Sequence, residues 1–352
     1  LEEYREGVKT LYDHPGYEAY HYVLGASIGA YVTKLVKYDE WHGIPLLVFS
    51  NDSGYGKTTV AAIGLNAVSH NSLSRATDGT TNFFKSMLKV FGSFPVFLDE
   101  VSKQFDDAKA LQDFLYVWPT GQDKGRLNQA GAVKAAGPTW NNMGIVTSNK
   151  SMLQALSTIQ EVTPEATQVR VLELDLGTAI RKKPNAVQFK PLAEHMVGNV
   201  YGVCGERLIR LILKNQDKIS YQIDKEYKAI CDRLPAHFVG TSRFLCYHAA
   251  CSLVGLRLGS KLGLWDFNVD NVRDFISAHI RRQMERITEY KVNPEDRFAA
   301  MMADFHGKLL VTYRYDSLDA RRKNASLEEP LSKIHGTVVG RYAIGCPGTK
   351  TE

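Results

Sequence analysis

The chain is 352 residues long, 44% hydrophobic and 23% charged, the balance of an ordinary globular fold with room for two domains or one with an appendage. Its apolar runs are broken by Gly, Pro or charge well short of the ~20 residues that span a bilayer, so no transmembrane helix is expected. The formal net charge of +5 permits contact with nucleic acid without requiring it.

Residues 1–42 read as an N-terminal helical segment. Tyr20, Val23, Leu24, Ile28, Tyr31 and Val32 recur near helical spacing. The opening Leu1-Glu2-Glu3 is acidic and does not read as the basic start of a signal peptide. A first residue that is not Met leads to the expectation of a piece cut from a longer polypeptide.

A strand, IPLLVFS at 44–50, is followed by a helix over 57–69. Further apolar strands are read at 94–98, 143–148 and 169–176, separated by helical patterns at 80–91, 106–117 and 151–160. Strands alternating with helices predict an α/β fold with a parallel sheet. Beyond the basic, turn-rich stretch 181–188 the pattern becomes helical, at 191–214, 216–233, 241–258 and 267–290. Residues 337–344 read as a pair of strands. The expected division is 1–42 helical, 43–182 the α/β core, 183–324 a helical C-terminal domain, and 325–352 a truncated tail or the start of a further module.

The strongest signal lies between the first strand and its helix, SNDSGYGKTT at 50–59. This is the context of a phosphate-binding loop. Gly54 and Gly56 have no Cβ, so backbone amides can turn inward on an anion, and the helix N-terminus adds its positive end. Asp52, Ser53, Gly54, Tyr55, Gly56, Lys57, Thr58 and Thr59 are the expected nucleotide-binding residues. Lys57 would reach the β- and γ-phosphates, and Thr58 would ligate Mg²⁺. The usual pattern opens with Gly, where this chain has Asn51, the residue after Gly that best tolerates a left-handed backbone.

FPVFLDEV at 94–101 ends an apolar strand on two acids. In a parallel sheet that end lies at the same edge as the loop. Asp99 would hold Mg²⁺, and Glu100 would orient or deprotonate the attacking water. The pair favours ATP hydrolysis over ATP binding alone. GIVTSNKS at 144–151 places Asn149 at the end of the next strand, where it would touch both the γ-phosphate and the water. Ser148 or Asn149 would alternatively cap the helix that follows.

Arg170 opens the fourth strand and is the first candidate for an arginine acting on a neighbour's nucleotide, with Arg126 and Arg181 as rivals. Over 121–150, four cations (Lys124, Arg126, Lys134 and Lys150) face one acid, Asp123, with Trp140 nearby. Lys124, Arg126 and Lys134 are the expected grip on single-stranded nucleic acid, with the aromatic for stacking; a solvated hairpin is the plainer alternative. HIRRQMER at 279–286 reads as a solvated helix face. The five cysteines include no Cys-x-x-Cys pair, and free thiols of a reducing compartment are expected rather than a zinc site. The histidines show no metal-ligand spacing.

Taken in order, NDSGYGKTT, PVFLDE, GQDKGRLNQAG…W, GIVTSN and EATQVRVLELDL resemble the ATPase core of phage and plasmid primase-helicase replication proteins, with an AAA+ or superfamily-3-like motor. The resemblance covers about residues 20–180. It implies a P-loop NTPase with an AAA+/RecA-like three-layer core. It further implies a ring, commonly a hexamer, that translocates on single-stranded DNA in the cytoplasm, with a fused primase or polymerase domain. The rival readings are a non-helicase AAA+ loader or remodelling switch acting on a protein partner, a nucleotide-binding scaffold without turnover, and a small-molecule or polynucleotide kinase.

Overall fold

The computed structural model describes residues 1–77, 79–101, 108–122, 139–157, 168–180, 183–292, 309–314, 328–330 and 340–345. Its centre is β1, Leu46–Phe49, four residues with no outward-facing polar position, all of them buried. Such a run requires cover on both faces. Period-two alternation supplies two distinct faces. Leu46 and Val48 join one apolar cluster, and Leu47 and Phe49 join the other.

Four more strands align parallel with β1: β2 (Arg75–Ala76), β3 (Phe97–Leu98), β4 (Ile145–Ser148) and β5 (Leu172–Asp175). The order across the sheet is β2-β3-β4-β1-β5. Leu46 stands opposite Ile145 on one side and Leu172 on the other. The connection leaving β1 therefore passes over two strand positions before the chain returns. The expectation of a parallel α/β sheet holds, with one strand, β2, too short to show a sequence pattern.

Helices cover both faces. α1 (Glu2–Tyr12), α2 (Glu18–Gly29) and α3 (Lys57–Asn66) bury Tyr4, Leu24, Ile28 and Ile63 against the Leu46 face. α4 (Thr81–Phe91), α5 (Ala108–Val117) and α6 (Met152–Ser157) bury Phe84, Phe114 and Leu153 against the Leu47 face. Trp140, read as a stacking aromatic, is instead buried in this second cluster. Its indole N–H donates to the Trp118 carbonyl at 2.8 Å, and burying so large a ring is worth more than leaving it in solvent.

A short turn of helix, α7 (Leu176–Ala179), ends the sheet region. It is followed by α8 (Ala186–Asn199), α9 (Gly205–Lys214), α10 (Gln216–Cys231), α11 (Ala236–Val239), α12 (Arg243–Leu262) and α13 (Val269–Val292). The stretch read as one helix over 191–214 is two, α8 and α9, separated at residues 200–204. α12 and α2 meet backbone to backbone. A Cβ on Gly255 would stand 2.2 Å from the Gly25 carbonyl oxygen, and one on Gly29 would stand 2.4 Å from that of Cys251. Glycine is required at this crossing because no side chain fits between the two main chains.

α13 corrects the reading of 279–286 as a solvated face in part: Arg281, Arg282 and Arg286 are exposed, whereas His279 and Gln283 face the sheet. β5 ends the sheet, so its outer N–H and C=O groups lack a strand partner. The Gln283 side chain accepts from the Glu173 N–H at 3.1 Å and donates to the Val171 carbonyl at 2.9 Å. One turn earlier, the His279 ring donates to the Glu173 carbonyl. Two residues four apart on one helix face thus complete the strand edge.

The chain divides into two compact units, Leu1–Glu289 and Tyr290–Glu352. That division runs through the helical stretch assigned to 183–324. In the second unit, β6 (Leu309–Arg314) pairs antiparallel with β7 (Glu328–Pro330) and parallel with β8 (Gly340–Gly345). Among the described residues no helix is long and apolar enough to cross a membrane. Cys204, Cys246 and Cys251 are buried, Cys231 is partly exposed, and all four are free thiols.

Candidate functional site

Three loops leave the carboxyl ends of adjacent strands at the point where the connection from β1 jumps aside, the place where α/β sheets form ligand crevices. The first is the turn between β1 and α3. Gly54 and Gly56 both take positive φ, 84° and 67°, and Gly56 is the last residue before the helix. Positions 51–54 are exposed. The loop is tied to the N-terminal helices by the Tyr20 hydroxyl, which donates to the Tyr55 carbonyl at 2.6 Å. Within it, the Asp52 N–H donates to the Ser50 hydroxyl at 3.3 Å.

Lys57 points back across the loop. Its ammonium donates to the Ser50 carbonyl at 3.0 Å and to Asn149 Oδ1 at 2.7 Å. Partial burial pulls its pKa down, and the nearby carboxylates of Glu100, Asp175 and Asp99 work against that shift. The loop thus holds a cation that faces several acids.

The second loop begins at Asp99, which is only 5% exposed. Three donors meet its carboxylate. Thr58 and Thr147 hydroxyls give 2.8 and 2.6 Å bonds to Oδ1, and the Arg75 guanidinium gives a 2.5 Å bond to Oδ2. Glu100 follows with φ 58°, the one non-glycine residue with positive φ among the described residues. A left-handed backbone costs such a residue about 1–2 kcal/mol. It is held there by its own N–H, which donates to the Thr147 hydroxyl at 3.0 Å. The strain aims the Glu100 carboxylate at Asn149, whose Nδ2 donates to Glu100 Oε1 at 2.5 Å.

The third loop supplies Asn149. It links Lys57 and Glu100, its oxygen to one and its nitrogen to the other. The helix-capping alternative falls to Ser151, whose hydroxyl accepts from the Gln154 N–H at 3.1 Å, with Glu173 accepting from the Leu153 N–H at 2.7 Å. Burial raises the Glu173 pKa, partly countered by hydrogen bonds from Ser151 and Leu153.

A cavity of about 510 Å³ opens beside the loop. Tyr12, Tyr20, Tyr55, Thr59, Phe189 and Val197 are among its walls. Its volume falls within the roughly 300–1,000 Å³ of small-molecule sites. The Lys183 ammonium lies 5.0 Å above the Tyr55 ring.

Lys57, Thr58, Asp99, Glu100 and Asn149 are therefore brought together, with residues 52–56 and Thr59 around them. Arg170 is not. It precedes β5, at the opposite end of the strands, and its guanidinium lies 4.2 Å from the centroid of Tyr116; burial lowers its pKa. Lys124, Arg126, Lys134 and Arg181 lie outside the described residues. Sequence reasoning missed Arg75, Thr147, Tyr20 and Lys183. A threonine two residues before Asn149 was visible in the third strand, but nothing local marked Arg75.

The donor set suits a hard divalent cation, since a hydroxyl and a carboxylate supply oxygens only. Among the described residues no group of three or more His, Cys, Asp or Glu side chains forms a metal cage.

No curated protein matches the chain. Residues 1–137 match a family described as a domain of unknown function, DUF927; that stretch carries the 50–59 loop, Asp99 and Glu100, and stops before Asn149. Among solved structures, the fold is similar to that of the active helicase Cch of SCCmec type IV, with a TM-score of 0.64 at 19% identity. The similarity covers 88% of this chain and 56% of that one, so the chain spans little more than half of that helicase's length.

Proposed function

We propose that the chain is an ATP-hydrolysing nucleic-acid motor, the helicase part of a replication protein. The observation that carries this reading is the Lys57–Asn149–Glu100 chain of hydrogen bonds beside the Thr58–Asp99 pair. β4 stands between β1 and β3, and that interposed strand lets one amide reach both the phosphate-loop lysine and the water-activating acid.

In this reading the amides of Asp52 to Gly56 cradle the phosphates, Lys57 neutralises the β- and γ-oxygens, and Thr59 and Tyr55 border the nucleoside in the aromatic cavity. Thr58 and Asp99 hold Mg²⁺, which supplies charge neutralisation on the phosphates. Glu100 accepts a proton from the attacking water, and Asn149 relays the presence of the γ-phosphate to it. Arg170, which lies far from its own chain's loop and stacks on Tyr116, is proposed to act on a neighbour's nucleotide in a ring, proposed as a hexamer. Lys124, Arg126 and Lys134 contact single-stranded DNA. A primase or polymerase domain fused to the chain, a phage or plasmid source and work in the cytoplasm complete the proposal. The likeness to a helicase structure supports the motor reading over the loader.

The test is phosphate release with and without single-stranded DNA, alongside separation of a forked duplex and a mass determination in nucleotide. Stimulation by DNA and strand separation are the expected results. ATP hydrolysis insensitive to DNA would favour the protein-remodelling switch, and no hydrolysis at all would end the motor reading.

A further inference from the structure

Asp99 has its charge satisfied before any ligand arrives. Both hydroxyls bond Oδ1, and Arg75 bonds Oδ2. The ion pair is largely shielded, with side-chain exposures of 31% for Arg75 and 7% for Asp99. Strand register fixes this pairing. Arg75 stands opposite Phe97 and Ala76 opposite Leu98, and the Asp99 N–H donates to the Ala76 carbonyl at 2.8 Å. The guanidinium carbon lies 5.5 Å from the centroid of the Phe97 ring, and the Arg75 Nε is buried without a hydrogen-bond partner. The arginine is thus held by the carboxylate through one nitrogen and keeps an unmet donor at Nε.

A carboxylate paired with a guanidinium is a poor ligand for a bare divalent cation, since the metal must displace a charge-assisted hydrogen bond and then sit beside a like charge. A metal–nucleotide complex differs, because its phosphates carry net negative charge. It offers the guanidinium phosphate oxygens in exchange for Oδ2. We infer that Arg75 is a positioning residue that blocks free divalent cations at Asp99, so that metal enters only together with a nucleoside triphosphate. This rests on the nucleotide-site reading above and adds an order of binding to it. The arrangement keeps the site from filling with metal alone, which would hold the loop without substrate.

The probe is Mn²⁺, followed by its paramagnetic resonance signal, on the whole chain without nucleotide and then with a non-hydrolysable ATP analogue. The Arg75→Met variant keeps an apolar stem on Phe97 and removes the charge. It is expected to bind Mn²⁺ without nucleotide about tenfold more tightly than the wild type, and to bind the nucleotide–metal complex several-fold more weakly. Adding Asp99→Asn should abolish the gained site. Nucleotide-free Mn²⁺ affinity within about twofold of wild type, or a gain that survives Asp99→Asn, overturns the inference. Should Arg75→Met fail to fold, Arg75→Lys decides: it keeps the charge and must leave Mn²⁺ binding without nucleotide as weak as in wild type, and a gain of about tenfold there equally overturns the inference. Wild-type hydrolysis of ATP with unchanged Mn²⁺ affinity in Arg75→Met defeats this inference alone. A wild-type chain that binds no nucleotide defeats the nucleotide reading.

Discussion

The carboxyl edge of the sheet and the crossing of α2 with α12 are built on opposite terms. At the edge, polar atoms of residues far apart in sequence share a few directed bonds, and Glu100 is held in a strained backbone to complete them. At the crossing, Gly25, Gly29 and Gly255 bring two main chains into contact, and a directed bond joins side chains of the two helices, Tyr22 to His248 at 2.7 Å. The first region tolerates changes of shape poorly in function but well in stability. The second should behave the other way round, because close packing resists even one added methyl.

The largest expected effects lie at the edge and concern rate. Lys57→Ala and Glu100→Gln should each lower ATP turnover by about a thousandfold, equivalent to about 4 kcal/mol of barrier. Melting temperature should hardly move, and Glu100→Gln should still bind a fluorescent ATP analogue. A large loss of thermal stability in either would erase the contrast between the regions.

Acid sharpens the contrast from the stability side. Burial pulls the His279 pKa from 6.5 down to about 4, partly opposed by its bond to the Glu173 carbonyl. The unfolded chain therefore takes up the proton first as pH falls. The stabilisation is present above pH 6.5 and is lost between 6.5 and about 4, amounting to at most about 3 kcal/mol. Urea unfolding across that range should show the decline. His279→Gln, which keeps a donor for the strand edge, should make it shallower, with buried His248, whose pKa is lowered to about 3, contributing to the remaining slope. A slope unchanged in that variant would assign the acid sensitivity elsewhere.

At the crossing, Gly255→Ala should cost about 2 kcal/mol in urea unfolding, since the methyl meets backbone atoms that cannot rotate away. ATP turnover per folded molecule should stay near wild type. An unchanged midpoint would mean that the helices separate easily, and the packing account would fail.

The smallest effect tests the strain. Glu100→Gly removes the left-handed penalty and should stabilise the fold by about 1 kcal/mol while turnover disappears. A destabilised variant would show that the bonds made by the Glu100 side chain outweigh the strain of its backbone.

Much of the edge was legible in the residues themselves. The apolar run at 46–49, the glycines flanking Tyr55, the Lys-Thr pair and the acids closing 94–100 are local patterns, and local patterns report what the chain does within a few residues. Arg75 was not legible, because β2 is two residues long and its periodicity is too short to read. The inward positions of 279–286 were misread for a related reason. His279 and Gln283 look like polar surface until a strand edge is placed beside them. Trp140 was taken for a stacking surface because charge and glycine surround it in sequence, whereas its ring is buried in a cluster assembled from distant elements.

By itself, the sequence determined the strand-loop-helix that presents Lys57, the strand that ends on Asp99 and Glu100, and the alternation that makes the sheet parallel. These depend on backbone preferences and on the period of apolar residues, both short-range. Only the tertiary structure decided that β4 lies between β1 and β3, that Asn149 joins Lys57 to Glu100, that Arg75 occupies the carboxylate of Asp99, and that α13 completes the edge of β5. Each of those pairs residues separated by a crossover, and strand order is chosen by burying both faces of the sheet at once, a condition that no local stretch of chain contains.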